Sequence, residues 1–206
     1  MKRKKYIGNT KISIQYLHIM NNFKNITTSV STTSPFKVTM GDNTKHTSKP
    51  TNPGVISNLL KVHQEINTPT ELAKLLTYPN GMSFSPSIFN GSRKDANWKS
   101  QSVYALDFDD GITPDEIYNR CEEHNLIPNI AYNSFSNTEE KRKFRFIFFL
   151  DEVITDKEES KRISLSLMCL FPESDKACKD FSRFFYGGNE LLSSNDELNK
   201  KQAFVD

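Results

Sequence analysis

The sequence lacks several features that define common classes of protein. Among its 206 residues are only three cysteines, at positions 121, 169 and 178, and no pair has the CxxC spacing of zinc and redox sites. An odd number of scattered cysteines gives no disulfide framework, and it is typical of reduced thiols in a cytosolic protein. We therefore expect neither a structural zinc site nor a disulfide.

Long apolar runs and common targeting patterns are also absent. No apolar run approaches the ~20 residues that a membrane-spanning helix needs. The basic residues at positions 2–5 are followed by Asn, Gln and His, which interrupt any signal-peptide core. The phosphate-binding pattern GxxxxGK[ST] does not occur, so the sequence carries no helicase signature of that type. These absences predict a cytoplasmic protein that does not contact a membrane.

The charge is distributed unevenly. The chain has 27 Lys and Arg against 25 Asp and Glu, but residues 1–50 hold nine basic residues and a single acid, Asp42, for a net charge of +8. Residues 24–54 are rich in Ser, Thr, Asn and Lys, a composition that buries too little apolar surface to offset its ordering entropy. We predict a basic, largely disordered arm over residues 1–54, which contacts nucleic acid weakly at most, and a folded domain over residues 55–206. Residues 11–20 are the one apolar stretch of the arm and the alternative candidate for a docked segment.

Three helix starts and three strands are predicted. Thr68, Thr113 and Thr155 each stand three residues before a glutamate, the capping-box spacing, and apolar residues at helical spacing follow. Strand patterns cover residues 102–108, 130–134 and 143–150. The last of these places Phe144 on a core face, and Lys143 and Arg145 on the opposite face, which we expect to be open to phosphates. Helices and strands mix without strict βαβ alternation, so we predict a sheet-centred α+β fold with flanking helices.

Asp107 and Asp109 lie at the end of the first predicted strand. Residues i and i+2 of a strand point to the same side, so both carboxylates converge and can share a divalent cation. Mg²⁺ and Mn²⁺ sites of this kind use carboxylates, waters and substrate phosphates. The competing interpretation is a simple Asp-Asp-Gly turn at residues 109–111, since Asp is favoured in turns.

Two further polar groups follow. Ser134, Ser136 and Asn137 lead into the basic strand of Lys143 and Arg145, and together they offer hydroxyls, an amide and cations to a triphosphate. A hairpin tip with solvated charges explains the same pattern without function. Further along, Asp175 precedes Arg183 by eight residues, and the alternative there is a short helix capped by Asp175.

These three groups, in this order, resemble the archaeo-eukaryotic primase superfamily, especially the primase-polymerase domains of phage, plasmid and mobile-element replication proteins. The resemblance covers residues 83–188 and includes the segment before the first motif. It implies the corresponding fold and a DNA-replication primase or DNA polymerase, a nucleotidyltransferase that builds a strand on a DNA template from nucleoside triphosphates. It also implies Mg²⁺ or Mn²⁺ as cofactor and a separate replicative helicase as partner.

The resemblance assigns roles residue by residue. The implied catalytic and metal-binding residues are Asp107, Asp109 and Asp175. The implied nucleotide-binding residues are Ser134, Ser136, Asn137, Lys143, Arg145 and Arg183. Asn137 stands where the family carries a histidine that contacts the incoming nucleotide, and an amide cannot carry that positive charge.

Other interpretations explain less of the sequence. The haloacid-dehalogenase motif DxDG(T/V) requires Gly where this chain has Asp110, and a DxD glycosyltransferase does not account for the basic strand or for Asp175 and Arg183. The main alternative is a non-enzymatic replication protein of the same fold, with weakened chemistry, that acts through DNA or partner binding. The departure at Asn137 motivates it.

Overall fold

A computed structural model of the chain describes residues 35–41, 45–109 and 111–204. The strands in these ranges are β1 (Phe36–Met40), β2 (Val62–Ile66), β3 (Phe84–Ser85), β4 (Ser87–Phe89), β5 (Trp98–Phe108), β6 (Ile130–Ser134), β7 (Phe144–Ile154) and β8 (Gly188–Ser194). The α-helices are α1 (Pro53–Leu59), α2 (Pro69–Leu76), α3 (Pro114–Glu123) and α4 (Lys157–Leu170). Short 3-10 helices cover Asp95–Asn97, Lys176–Lys179 and Lys201–Phe204. None of the helices in the described ranges is long and apolar enough to cross a membrane.

The strands form two antiparallel sheets. The larger has the order β4-β5-β7-β6-β8, and the smaller has the order β2-β1-β3. The central pair of the larger sheet, β5 and β7, places Phe108 opposite Phe144 and Asp107 opposite Arg145. The predicted α+β class is confirmed. The strand predicted at residues 130–134 has those bounds. β5 begins four residues before the predicted 102–108, and β7 begins one residue after and ends four residues beyond the predicted 143–150, because Trp98, Gln101 and Ile154 also pair with neighbours.

Side-chain caps start all four α-helices. The hydroxyl of Thr68 accepts a hydrogen bond from the Glu71 amide at the start of α2. At α3 the Thr113 hydroxyl accepts from the Glu116 amide, and the Glu116 carboxylate accepts from the Thr113 amide, which completes the predicted box. The third predicted box is wrong by one residue. Asp156, and not Thr155, caps α4, because its carboxylate accepts from the Glu159 amide at 2.9 Å and Asp is the better capping residue.

Both faces of the larger sheet are covered by apolar layers. On one face Phe144, Phe146 and Phe148 of β7 pack with the buried sides of α3 and α4. On the other face Ile147 and Phe149 pack under the smaller sheet and α2, and the Phe149 ring meets the Phe36 ring edge-on at 5.0 Å. The expectation of an open, phosphate-facing side of β7 is therefore wrong along most of the strand. Polar or exposed surroundings are confined to the two ends of the strand, at Arg145 and at residues 151–153.

The folded region begins before residue 55. Strand β1 pairs with β2 on one side and β3 on the other, and the Val38 side chain is fully buried in the second apolar layer. The boundary predicted near residue 55 therefore falls inside the fold. It was misplaced because the five-residue strand is short and is surrounded by the polar composition that predicted disorder. The expectation for residues 1–34, with residues 11–20 among them, lies outside the described residues.

The buried position of Val38 gives a test of this corrected boundary. Val38→Ala is expected to lower the free energy of unfolding by about 2 kcal/mol, since it removes buried methyl groups and leaves a cavity. The matched control is Lys37→Ala on the same strand, whose exposed ion pair with Glu65 should be worth less than about 1 kcal/mol. Urea denaturation of both variants measures the difference, and equal stability of the two would show that β1 is not part of the core.

Candidate functional site

Two arginines surround the carboxylate of Asp107 at the end of β5. Arg145, directly opposite on β7, places its Nε 2.9 Å from Oδ1, and Arg183 places its Nη2 3.0 Å from Oδ2. The Asp107 residue is only 6% exposed. The register of the central strand pair brings Arg145 to this point, and a loop that follows the 3-10 helix Lys176–Lys179 brings Arg183.

Arg183 also joins Asp107 to Asp175. Its Nη2 lies 2.7 Å from Asp175 Oδ2, and the Asp175 amide donates to the Asp107 carbonyl at 2.8 Å. The other carboxylate oxygen of Asp175 accepts from the Ala177 amide and caps the 3-10 helix, as the alternative interpretation expected. Burial alone would raise the pKa of Asp175, but the Ala177 amide and Arg183 outweigh burial and hold that pKa below its ordinary value.

The Arg145 guanidinium is fixed by several partners. Its Nη1 donates to the Tyr186 carbonyl at 2.9 Å, and its charge lies 5.7 Å from the centroid of the Tyr132 ring. Burial would lower the pKa of Arg145, but Tyr132 and Asp107 outweigh that effect and keep the pKa above its ordinary value. Arg145 is therefore a charged, immobile group at the base of the site.

Asp109 and Lys143 form a second, more exposed pair. Lys143 Nζ lies 3.0 Å from Asp109 Oδ1, and about half of the Asp109 side chain (52%) is exposed. Asp107 and Asp109 line the same cavity of about 170 Å³. The predicted site residues along this cavity are Asp107, Asp109, Ser134, Ser136, Lys143, Arg145 and Arg183. Asp110 lies outside the described residues.

Two predicted site residues do not line the cavity. Asp175 pairs with Arg183, which does line the cavity. Asn137 belongs to the turn between β6 and β7. Its side-chain Oδ1 accepts from the Lys143 backbone amide at 2.8 Å, and its backbone amide donates to the Ser134 carbonyl. Its side-chain oxygen closes the turn that presents Lys143, so a direct contact of Asn137 with nucleotide remains a prediction.

Sequence reasoning missed two groups of the cavity wall. Lys49 lines the cavity, although its segment was predicted to be part of the largely disordered arm. Tyr186 accepts at its carbonyl from both Arg145 and the Tyr132 hydroxyl, while its own buried hydroxyl has no hydrogen-bond partner among the described residues. Burial raises the pKa of Tyr186. Neither residue belongs to a motif, and only tertiary pairing brings them here.

Two of the three predicted metal-binding carboxylates fit a divalent cation. Among residues 35–41, 45–109 and 111–204, no cluster of three or more His, Cys, Asp or Glu side chains is placed to hold a metal. However, Mg²⁺ needs only one or two protein carboxylates when waters and substrate phosphates complete its shell. Asp107 and Asp109 supply such a pair, and Asp107 Oδ1 makes no aligned hydrogen bond in spite of the nearby Arg145. The pair fits, whereas both oxygens of Asp175 are occupied.

No protein-family model matches the sequence, and no curated protein matches it. Among solved structures, the chain is similar to the AEP domain of the primase-polymerase (PrimPol) of cyanophage S-2L, with a TM-score of 0.47 and 13% sequence identity. The alignment covers 92% of this chain and 94% of that chain. A likeness at this level assigns no role to any residue here.

The loop that carries Tyr186 is held by a close backbone approach at Gly187. A Cβ atom at this position would lie 2.4 Å from the Leu76 carbonyl oxygen and 2.4 Å from the Gly81 carbonyl carbon. Both are backbone atoms, which cannot move aside as a flexible side chain does. Gly187 is thus required by packing, and it positions the Tyr186 carbonyl on Arg145.

This geometry predicts the effect of a single methyl group. Gly187→Ala should destabilise the fold by about 1–3 kcal/mol, the usual cost of overpacking. Gly54→Ala in α1 is the matched control, because its Cβ would have an ordinary contact of 3.4 Å and Ala favours a helix. Thermal unfolding of both variants tests the claim. A Gly187→Ala protein as stable as the Gly54→Ala protein would contradict the close approach.

Proposed function

We propose that this chain is a nucleotidyltransferase of the primase-polymerase type, which adds nucleotides from nucleoside triphosphates to a strand on a DNA template. The observation that supports it best is the composition of one cavity. Two strand-end carboxylates, Asp107 and Asp109, lie there beside three cations from two segments, Lys143 and Arg145 at the start of β7 and Arg183 on a loop. These are the residues whose order along the chain resembles the primase superfamily.

The charge of the cavity suits a highly charged anion. Its cations are Lys49, Lys143, Arg145 and Arg183, and its carboxylates are Asp107 and Asp109, so the lining carries a net charge of +2 at neutral pH. A cleft with excess positive charge concentrates anionic ligands and steers them inwards. The Ser134 and Ser136 hydroxyls add neutral hydrogen-bond donors along the same wall.

Each group has a role in the proposed reaction. Asp107 and Asp109 would hold Mg²⁺ or Mn²⁺, which when bound supplies charge neutralisation on the phosphates and lowers the pKa of the attacking hydroxyl. Lys143 and Arg183 would contact the triphosphate, and Arg145 would keep the Asp107 carboxylate oriented. DNA as template and a separate helicase are further parts of this proposal. Asp175, which the sequence predicted as a third metal ligand, would instead hold Arg183, because both of its carboxylate oxygens are occupied.

A second candidate function is favoured by specific observations. Asn137 closes a turn in place of a nucleotide-contacting histidine, and two arginines already neutralise Asp107. Both features suit a replication protein of the same fold that binds DNA or partner proteins without catalysis. A primer-extension assay with Mg²⁺ or Mn²⁺ separates the two functions, because only the enzyme incorporates nucleotides.

Asp109 offers the cleanest test of catalysis. Asp109→Asn should lower nucleotide incorporation by at least about 100-fold, because it removes one of two metal-binding carboxylates. The fold should be unaffected, since Asp109 is half exposed and its pair with Lys143 is worth less than about 1 kcal/mol. Primer extension by the purified variant measures the loss. Asp107→Ala is less informative, because it leaves Arg145 buried without its counter-charge.

Asp95→Asn is the control for this experiment, since Asp95 forms a comparable exposed ion pair with Lys157. It should extend primers like the unmodified chain. Incorporation by Asp109→Asn at the rate of this control would sink the assignment of Asp109.

Lys49 tests whether the cavity binds the triphosphate. Lys49→Ala should weaken binding of a nucleoside triphosphate roughly twofold to fivefold, the range of an exposed charge interaction, with a smaller effect at high salt. The control is Lys45→Ala, an exposed lysine of the same segment that does not line the cavity. Fluorescence titration with a labelled nucleotide gives both affinities. Equal affinities would place the triphosphate away from Lys49.

A further inference from the structure

We propose that the divalent cation and the triphosphate bind this chain cooperatively, with Arg183 as the residue that couples them. The inference rests on the proposed function, because it concerns the two ligands of the same cavity. Without ligands, Arg183 occupies the carboxylate that the metal needs. Each ligand therefore releases the group that binds the other.

The ion pairs of the site are the starting observation. Each predicted phosphate-binding cation contacts a predicted metal-binding carboxylate. The pairs are Arg145 with Asp107 at 2.9 Å, Arg183 with Asp107 at 3.0 Å and with Asp175 at 2.7 Å, and Lys143 with Asp109 at 3.0 Å. A metal ion must displace these cations from the carboxylates, and a phosphate must displace the carboxylates from these cations. Both ligands therefore break the same ion pairs.

Arg183 is the member of this set best placed to move. Arg145 lies on a central strand, is buried and also donates to the Tyr186 carbonyl. Among the described residues, Lys143 pairs only with the half-exposed Asp109, so its pair is weak. Arg183 is on a loop, its side chain is 18% exposed, and it bridges two carboxylates at the cavity wall.

Two contacts keep Arg183 within reach after it leaves Asp107. Its guanidinium carbon lies 5.2 Å from the centroid of the Phe185 ring, and its backbone carbonyl accepts from the Ser85 hydroxyl at 2.8 Å. Asp175 holds the same Nη2 atom as Asp107 does, so it retains the side chain when Asp107 is taken by a cation. Asp175 acts here as a tether for the arginine.

The coupling follows from linkage. A cation on Asp107 breaks the Asp107–Arg183 pair and frees the guanidinium for phosphate, and a phosphate on Arg183 frees Oδ2 of Asp107 for the cation. Because the two effects use one broken pair, each ligand must raise the affinity for the other by the same factor. For coupling through one such pair we expect a factor of about 5–20, at the lower end of the usual range.

Arg183→Gln tests this with binding measurements alone. The variant should bind Mn²⁺ without nucleotide about fivefold to tenfold more tightly, because Asp107 loses a competing cation. It should bind a non-hydrolysable nucleoside triphosphate analogue without metal about tenfold more weakly, because a charged hydrogen-bond donor is lost. Mn²⁺ binding is followed by electron paramagnetic resonance and analogue binding by calorimetry. The coupling factor is the ratio of analogue affinities with and without Mn²⁺, and it should fall towards one.

Mn²⁺ and the nucleotide analogue also form a complex in solution. Its contribution to the measured affinities is identical for both proteins, so it cancels when the variant is compared with the unmodified chain. Arg120→Gln is the control. It removes an arginine that pairs with Glu173 outside the cavity, and it should change neither affinity. Arg183→Lys keeps the charge and should retain part of the coupling, which gives a second reading if Arg183→Gln fails to fold.

The sign of the Mn²⁺ change decides the outcome. A merely structural role of Arg183 predicts weaker binding of both ligands in the variant. Unchanged or weaker Mn²⁺ binding by the folded variant, or no Mn²⁺ binding by either protein, would overturn the proposal. Coupled binding without any primer extension would instead retain it and count against the proposed catalytic function.

Discussion

The buried contact between Asp107 and Arg145 is the constraint on which the rest of the site depends. Removing both charges from water is costly, and the cost is recovered only when every remaining polar atom finds a partner. Here Arg183 on the carboxylate and the Tyr186 carbonyl on the guanidinium recover part of the cost, while Asp107 Oδ1 and Arg145 Nε face each other at 2.9 Å without an aligned hydrogen bond. The loop from Arg183 to Gly187 is therefore fixed by electrostatics at one end and by the close backbone packing of Gly187 at the other. Fold and site cannot be altered independently in this region.

The same strand pair makes the core and the cavity. Along most of β5 and β7, side chains alternate between two apolar layers, and both layers exclude water. Asp107 and Arg145 continue that alternation on the side of the smaller sheet, but they lie where its apolar cover stops. Polar groups are tolerated at this depth because they face one another, while Asp109, two residues further, already reaches solvent. The end of the apolar layer, and not a separate motif, defines where the site is.

Local patterns in the sequence predicted well the ends of β5 and β7 that meet at the site, and predicted the tertiary partners poorly. Strand periodicity was enough to place Asp107 and Asp109 together and to put Arg145 on the opposite side from Phe144. It could not reveal β1, a short strand within a polar segment, nor Lys49 and Tyr186, which arrive through chain pairings distant in sequence. The same applies to Asn129 and Asn199, whose side chains hydrogen-bond each other and bind the backbone of Phe149. Buried amides in loops carry no periodic signal, so only the folded chain shows their role.

The two strand-end carboxylates are not equivalent, and the difference has a physical origin. Asp107 is enclosed, and its position is set by the register with Arg145, so its oxygens have little freedom. Asp109 follows the last residue of β5, is half exposed and pairs only with a flexible lysine among its described neighbours. In the proposed reaction this gives one fixed and one adaptable ligand. A fixed ligand would set the position of a cation relative to Arg183, and an adaptable one would accommodate changes in the geometry of the reacting phosphate. An exchange of the two environments would lose both properties. An exposed Asp107 would not fix the position of the cation, and a buried Asp109 could not adjust as the phosphate reacts.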